Sequence, residues 1–299
     1  MNKKLKNLIL TPFNYLYQIN PALETKLLYL LKNKRRLDLD NPKTYNEKLQ
    51  WLKLYYRNDL MPRCADKFTA RSYIEEKGYG EYLPKLYWHG ASPEEIPFDT
   101  LPNEFVIKST SGSGNNIIVR EKQLIDIEST KREIRKWMKE RYLVAYGEWH
   151  YSKIKPTIII EELLSDGIHD VPMDFKMFCF NNYPRTVFCT AVDMDRFYSH
   201  KRAIYNNEWK FLSNVRMKFD NGGKDCIPQP VQYDKMLKIA SDLSKPFPHA
   251  RIDFFVIGGG IYIGEITFFN GAGYDMVTPD AYNKAMGDCI KLPDKNNTV

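Results

Sequence analysis

The sequence predicts an α+β protein built from subdomains rather than a doubly wound parallel sheet, and three observations lead there. Short β-prone runs and helical stretches alternate without a regular strand–helix–strand beat. The first 60 residues carry only helical periodicity, with leucines spaced among lysines and arginines. Two apolar, β-prone runs, 251–257 and 261–267, flank the triple glycine Gly258-Gly259-Gly260 and read as a hairpin. A chain of 299 residues can bury a substantial core, as one large domain or two to three small ones. Its 43% apolar and 14% aromatic content is that of a folded globular protein.

The elements follow in order. Leu5, Leu8 and Ile9, then Leu23, Leu27, Leu28, Leu30 and Leu31, mark helices ringed by Lys3, Lys4, Lys6, Lys32, Lys34, Arg35 and Arg36. Such a segment either packs on the domain with a solvated cationic face, the favoured expectation, or lies on an anionic membrane surface. Residues 46–58 continue as a helix with Leu49, Leu52 and Tyr56 as its buried stripe. A helix over 66–77 ends at Gly78, a C-cap. Residues 86–88 form a short strand, and Ser92 caps a brief segment at 93–96. Strands at 105–108 and 117–120 enclose a polar glycine loop, and 127–142 is an amphipathic helix. A buried, β-branched strand fills 157–164. Hairpin-like stretches cover 175–192, turning at 181–184, and 203–212. A helix at 233–244, the glycine hairpin and a helical tail at 279–290 complete the chain.

The formal charge of +7, from 44 basic against 37 acidic residues, suits an enzyme that handles anions such as nucleotides or acidic sugars. No nucleic-acid partner is expected, because the chain shows no RNP-type motif, zinc spacing or recognition-helix pattern. Its five cysteines are odd in number and lack C-x-x-C spacing, so they read as reduced thiols without zinc. No run approaches the roughly 18 apolar residues that span a bilayer. The N-terminus starts like a secretory signal, but Thr11-Pro12 and Asn14 break its apolar stretch and no small-residue cleavage site follows. The expectation is a cytoplasmic protein, with peripheral contact at the inner membrane face left open.

Four segments carry chemistry. If the three glycines form the hairpin loop, Ile257 faces Ile261 and Asp253 lies opposite Glu265, with Phe255, Ile257, Ile261 and Ile263 on the same face. Facing carboxylates repel by up to about 1 kcal/mol, and apolar neighbours add a desolvation cost. A hard divalent cation between them is the simplest remedy; the plainer alternative is a solvated edge pair held by Arg251. Second, Lys108 ends a strand and Ser109-Thr110-Ser111-Gly112-Ser113-Gly114-Asn115-Asn116 follows. Glycine N–H groups and hydroxyls can form an anion-binding concavity there, although a surface hairpin has the same composition. The P-loop pattern is absent, and a strand follows instead of a helix. Third, Glu161 and Glu162 end an apolar strand and point to opposite faces. One could bind an adenine amino group or ribose hydroxyls while the backbone of Leu163 and Leu164 reads the base edge; solvated glutamates fit equally. Fourth, Lys176 shares a strand face with Phe178 and Phe180, so it either snorkels to water or meets an anion.

In this order the segments resemble the ATP-grasp superfamily, and more closely the TupA-like ATP-grasp proteins of bacterial polysaccharide gene clusters. The matching phrases are Cys64-Ala-Asp-Lys67 with Arg71, Phe105-Val-Ile-Lys108, Gly112-Ser-Gly114-Asn-Asn, Pro156-Thr-Ile-Ile-Ile-Glu161-Glu162, Asp174-Phe-Lys176-Met-Phe-Cys-Phe-Asn, His200-Lys-Arg202, Arg251-Ile-Asp253 and Gly264-Glu265-Ile-Thr-Phe. The resemblance implies an ATP cleft between two α+β subdomains. It divides the chain into a basic helical region (1–60), the N-terminal part of the core (61–104), a glycine-loop subdomain (105–165) and a C-terminal subdomain with the metal hairpin (166–299). By resemblance, Lys67 and Lys108 contact ATP phosphates with Ser111, Gly112, Ser113 and Gly114, and Lys108 also lies near the base. Glu161 or Glu162 holds adenine or ribose beside Leu164, Lys176 reaches the nucleotide, and Asp253 and Glu265 bind Mg²⁺. Many relatives carry Asn two residues after the metal glutamate; here Thr267 stands there, and Asn270 nearby is the candidate third metal ligand.

The implied reaction is ATP- and Mg²⁺-dependent carboxylate–amine ligation through an acyl phosphate, with Arg251 and Arg202 as catalytic candidates. The implied partners are a hexuronic acid of a surface polysaccharide or its precursor and an amino acid. One rival is a metal-dependent glycosyltransferase, suggested by the D-x-D of Val192-Asp193-Met194-Asp195. Another is an idle scaffold or polysaccharide-binding module, against which Lys108, Lys176, Asp253 and Glu265 together argue.

Overall fold

The computed structural model describes residues 3–112, 114–139, 144–167, 172–182, 187–195, 201–218 and 227–294. A small antiparallel sheet has the order β1-β4-β2-β3, formed by β1 (Leu86–Gly90), β2 (Phe105–Ser109), β3 (Asn116–Val119) and β4 (Ile158–Glu161). The buried run of β-branched residues ends at Glu161, earlier than the expected 164, and Glu162 N donates to Lys85 O at 2.9 Å, beside the β1 residue that pairs with Glu161. Phe105, Ile107, Ile158 and Ile160 pack with Ile134 and Trp137 of α6 (Ile127–Met138), forming a core of their own. Strand alternation therefore puts Lys108 and Glu161 on the other face.

A larger antiparallel sheet runs β10-β9-β5-β6-β7, from β5 (Asp174–Phe180), β6 (Val187–Asp195), β7 (Lys201–Asn206), β9 (His249–Ile257) and β10 (Gly260–Thr267). The ribbon of β8 (Arg216–Met217) and β11 (Val277–Thr278) lies apart. Met177, Ile252 and Phe254 on one face of the large sheet join Met236, Ile239 and Leu243 of α7 (Tyr233–Ser244) in the main core. The expected turn at 181–184 extends into residues outside the described ones.

The N-terminal helices pack on the larger sheet's core. Three helices, α1 (Lys3–Ile19), α2 (Pro21–Asn33) and α3 (Tyr45–Tyr55), contribute to the main core. A Thr44–Glu47 capping box starts α3. Tyr45 then inserts its ring edge-on between Phe178, Phe180 and His249. Asn46 donates to Gly273 O and Asp275 O, and Lys48 to Gly287 O and Ile290 O, which joins α3 to α8 (Asp280–Asp288). The helix expected over 66–77 is α5 (Thr69–Glu76), starting three residues later, and a short α4 (Leu60–Ala65) precedes it. Asp66 Oδ1 accepts from Phe68 N and Thr69 N, both at 2.9 Å. That caps α5 and leaves Lys67 in the break.

The glycine hairpin reaches the expected pair by a different path. The turn is the two residues Gly258-Gly259, with φ of 56° and 78°, so Gly260 rather than Ile261 faces Ile257. That register would set Gly264 against Asp253. A bulge between Ile263 and Glu265 shifts it by one and restores Glu265 opposite Asp253. The carboxylate face of β10 consequently carries Tyr262, while Ile261 and Ile263 are buried on the other face. A Cβ at Gly264 would stand 3.0 Å from the Phe255 ring. Gly264→Val is therefore expected to cost about 1–3 kcal/mol of stability, read as a lowered urea midpoint at unchanged slope.

Two histidines set the acid limit of the fold. His150 and His249 are 1% and 3% exposed, and burial pushes each imidazole down to about 3. Unfolded histidine protonates near pH 6.5, so the unfolded chain takes up protons first. Stability is then full above that pH and falls as pH drops below it, by about 1 kcal/mol per histidine per unit. Urea unfolding between pH 7 and pH 5 reads this decline, and His150→Phe should flatten it.

Candidate active site between the two sheets

The register of the large sheet assembles a band of charge across its strands. Lys176 lies opposite Asp253 on β9, which lies opposite Glu265 on β10; one step along, Asp174 faces Asp193, which faces Arg202. Like charges set opposite each other repel, and cations resolve the conflict. Lys176 Nζ donates to Asp174, lies 3.0 Å from Asp253 Oδ2 and 3.7 Å from Asp193 Oδ2. Arg251 grips Asp253 with two bonds of 2.6 Å and reaches Glu265 Oε1 at 2.9 Å and Thr267 Oγ1 at 3.1 Å. Burial pushes the Asp253 carboxyl up, but Arg251 and Lys176 outweigh it and hold it well below the usual carboxylate range. Asp253 is 2% exposed, whereas the Glu265 side chain is 31% exposed.

The small sheet and the α4–α5 break face this band. Glu161 is clamped by Lys108 at 2.8 Å and by Arg71 of α5 at 2.8 Å. Lys67 N donates to Thr110 O and Lys67 Nζ to Gly112 O at 2.8 Å, tying the glycine loop to the break. Burial lowers the Lys67 ammonium from its ordinary range, against the pull of Glu265. Gly112 and Gly114 adopt φ of 76° and 85°, which a side chain would strain. Lys67, Arg71, Glu161, Gly264 and Glu265 line one crevice of about 20 Å³, room for roughly one water. A nucleotide that reaches both Glu161 and Glu265 requires the sheets to part there.

The sequence profile of the TupA-like ATP-grasp family matches residues 47–291. The chain belongs to that family. No curated protein matches it. Similar solved structures include the L-amino acid ligase from Bacillus licheniformis, at 15% identity and TM-score 0.47, covering 76% of this chain and 49% of that one. The N5-carboxyaminoimidazole ribonucleotide synthetase PurK gives 14% identity and TM-score 0.43, covering 74% and 50%. The D-alanine–D-alanine ligase from Helicobacter pylori gives 14% and 0.43, covering 84% and 70%. The chain spans about half the length of the first two.

Within this ATP-grasp chain most of the expected residues converge, and the exceptions have physical causes. Of the two glutamates, Glu161 enters the crevice, while Glu162 Oε2 accepts from Lys85 N at 3.3 Å. Leu164 lies half-buried beyond the end of β4. Ser111 stands in the loop, its carbonyl accepting from Ser109 Oγ, and Ser113 lies outside the described residues. Asn270 is turned to other work: its Oδ1 accepts from Tyr45, whose hydroxyl also meets His249 Nε2 at 3.0 Å. Thr267 is the side chain that touches Glu265, donating to Oε1 at 3.1 Å. Arg202 is no surface residue; its Nε and Nη2 take both oxygens of Asp193, at 2.5 and 2.9 Å. That pairing engages the first aspartate of the D-x-D motif. Burial raises the Asp193 carboxyl and Arg202 lowers it further, so it stays ionised.

Among the described residues no three His, Cys, Asp or Glu side chains form a metal cluster. Asp253 and Glu265 nevertheless fit a divalent cation. They are hard oxygen donors already sharing one cation, Arg251, and Mg²⁺ characteristically takes one or two carboxylates plus phosphate oxygens. Sequence reading assigned no role to Arg71 or Asp174. Asp174 was within reach, since strand alternation puts it on the face of Lys176. Arg71 was not, because its partner Glu161 is 90 residues away.

Proposed function

We propose that this protein is an ATP- and Mg²⁺-dependent carboxylate–amine ligase. The observation that carries the reading is the facing pair Asp253 and Glu265, flanked by Lys176 and Arg251 and set across one crevice from Glu161. In this reading Lys67, Lys108, Lys176 and the backbone of Ser111, Gly112 and Gly114 hold the phosphates, and Glu161 holds adenine or ribose. Asp253 and Glu265 hold the metal, with Thr267 rather than Asn270 beside them. A bound Mg²⁺ supplies charge neutralisation at the phosphate oxygens. A substrate carboxylate attacks the γ-phosphorus, and ADP leaves with the electrons of the broken phosphoanhydride bond. The amine then attacks the acyl carbon, loses a proton and expels phosphate, leaving an amide. Arg251 is the proposed contact for the acyl phosphate. Arg202 serves by holding Asp193 in the charge band, a positioning role. The work is alignment and charge stabilisation, so no side-chain nucleophile is needed.

The finer reading is a hexuronic acid carboxylate joined to an amino acid in polysaccharide assembly, in a cytoplasmic setting. It rests on the resemblance to proteins of bacterial polysaccharide gene clusters. The expected result in a screen of uronic acids with amino acids is ADP release that needs both substrates. With hydroxylamine in place of the amine, the acyl phosphate should be trapped as a hydroxamate. ADP release with no hydroxamate from any carboxylate would sink the acyl-phosphate route.

A further inference from the structure

Helix α2 is inverted in its polarity. Its inward face carries Glu24 and Thr25, 0% and 2% exposed, beside Leu28 and Tyr29. Its outward face carries Leu23, Leu27, Leu30 and Leu31, 40–54% exposed at their fullest and least. The preceding α1 continues the pattern with Tyr15 and Ile19, four residues apart and 67% and 82% exposed. Among the described residues these six stand beside only Leu124, Ile127 and Val231 as exposed large hydrophobics. Of the α2 leucines in the expected stripe, Leu28 faces the core and Leu23, Leu27, Leu30 and Leu31 face out.

Charge is concentrated on the same segment. Residues 3–36 contain eight lysines and arginines against the single Glu24. That surplus of seven equals the surplus of the entire chain, 44 basic against 37 acidic, so the rest of the molecule is balanced. Lys26, Lys34 and Arg36 are exposed, while Arg35 is paired with Asp280 and Lys32 lies 4.5 Å from the Tyr146 ring centre. No helix of the described residues is long and apolar enough to cross a membrane.

We propose that the outward face of α1 and α2 docks on an anionic phospholipid bilayer, with the leucines at the acyl boundary and the basic residues among the headgroups. Helices of this composition lie in the interface plane, and each basic residue adds attraction to anionic lipid. A second copy of the chain fits poorly, because a two-fold contact through this face would bring the two surpluses of positive charge together. The site lies outside the charge band and stands or falls separately from the ligase reading.

The test is co-sedimentation of the full chain with vesicles of phosphatidylcholine alone or mixed with phosphatidylglycerol. Binding to the mixed vesicles should be at least about tenfold tighter, and added salt should weaken it. Leu27→Glu/Leu31→Glu changes exposed positions and should lose at least about tenfold of that binding. Its melting temperature and ATP binding, measured alongside, should match the wild type. Equal binding to neutral and anionic vesicles, or full binding by the variant, would overturn the proposal. So would a wild-type dimer that the double substitution separates, which would assign the face to a second copy.

Discussion

Replacing Asp253 with Asn is expected to lower ATP-dependent turnover about a thousandfold while the fold survives. The carboxylate sits at the centre of the charge band, bonded to Arg251 and Lys176 and directly opposite Glu265. Arg251 and Lys176 keep it ionised, the state a divalent cation requires. Asn keeps the shape and one acceptor but removes the charge, so a metal would be left with Glu265 alone. The structural cost should be about 1–3 kcal/mol, because Arg251 retains a bond to Glu265. Steady-state kinetics against a urea titration separates the two effects. A turnover loss under tenfold would remove Asp253 from the proposed metal site.

Lys176→Met should produce the largest loss of stability at any single charged position, about 3–5 kcal/mol. Its ammonium lies against Asp174 and Asp253 with Asp193 beyond, and it is 3% exposed. Without it, Asp174 and Asp193 face each other across the ladder in a water-poor setting. The loss is also expected to depend on pH. Carboxyls deprived of their cation have raised folded-state pKa values, so protonating one relieves repulsion and the deficit narrows as pH falls. Urea midpoints at pH 8 and pH 5 measure both the size and the trend. A deficit that is small, or that widens in acid, would mean the arginines alone neutralise the band.

The hairpin shows how much of the site was legible in sequence and where that stopped. Period-two alternation and a count from the glycines put Asp253 opposite Glu265, and the pair is there. The count assumed a three-residue loop, and a bulge at Gly264 compensates for the two-residue turn. Nothing local distinguishes a glycine that turns from one that bulges. In α2 the leucine spacing gave the helix but not its orientation, because Glu24 and Thr25 take the buried side beside Leu28 and Tyr29, which spacing alone does not reveal. Asp193 suggested the rival glycosyltransferase metal site because its partner Arg202 comes from the neighbouring strand. The elements were local information; the partners of buried charges were not.

Asp253 and Glu265 are proposed to form a metal-dependent nucleotide site. Calorimetric titration of ATP into the wild type and the Asp253→Asn/Glu265→Gln variant, each with and without Mg²⁺, tests it most directly. Binding that strengthens at least about tenfold with Mg²⁺ in the wild type, and no longer responds to Mg²⁺ in the variant, is the predicted result. Equal Mg²⁺ dependence in both proteins, or binding of a UDP-sugar with divalent metal and no binding of ATP, would contradict it.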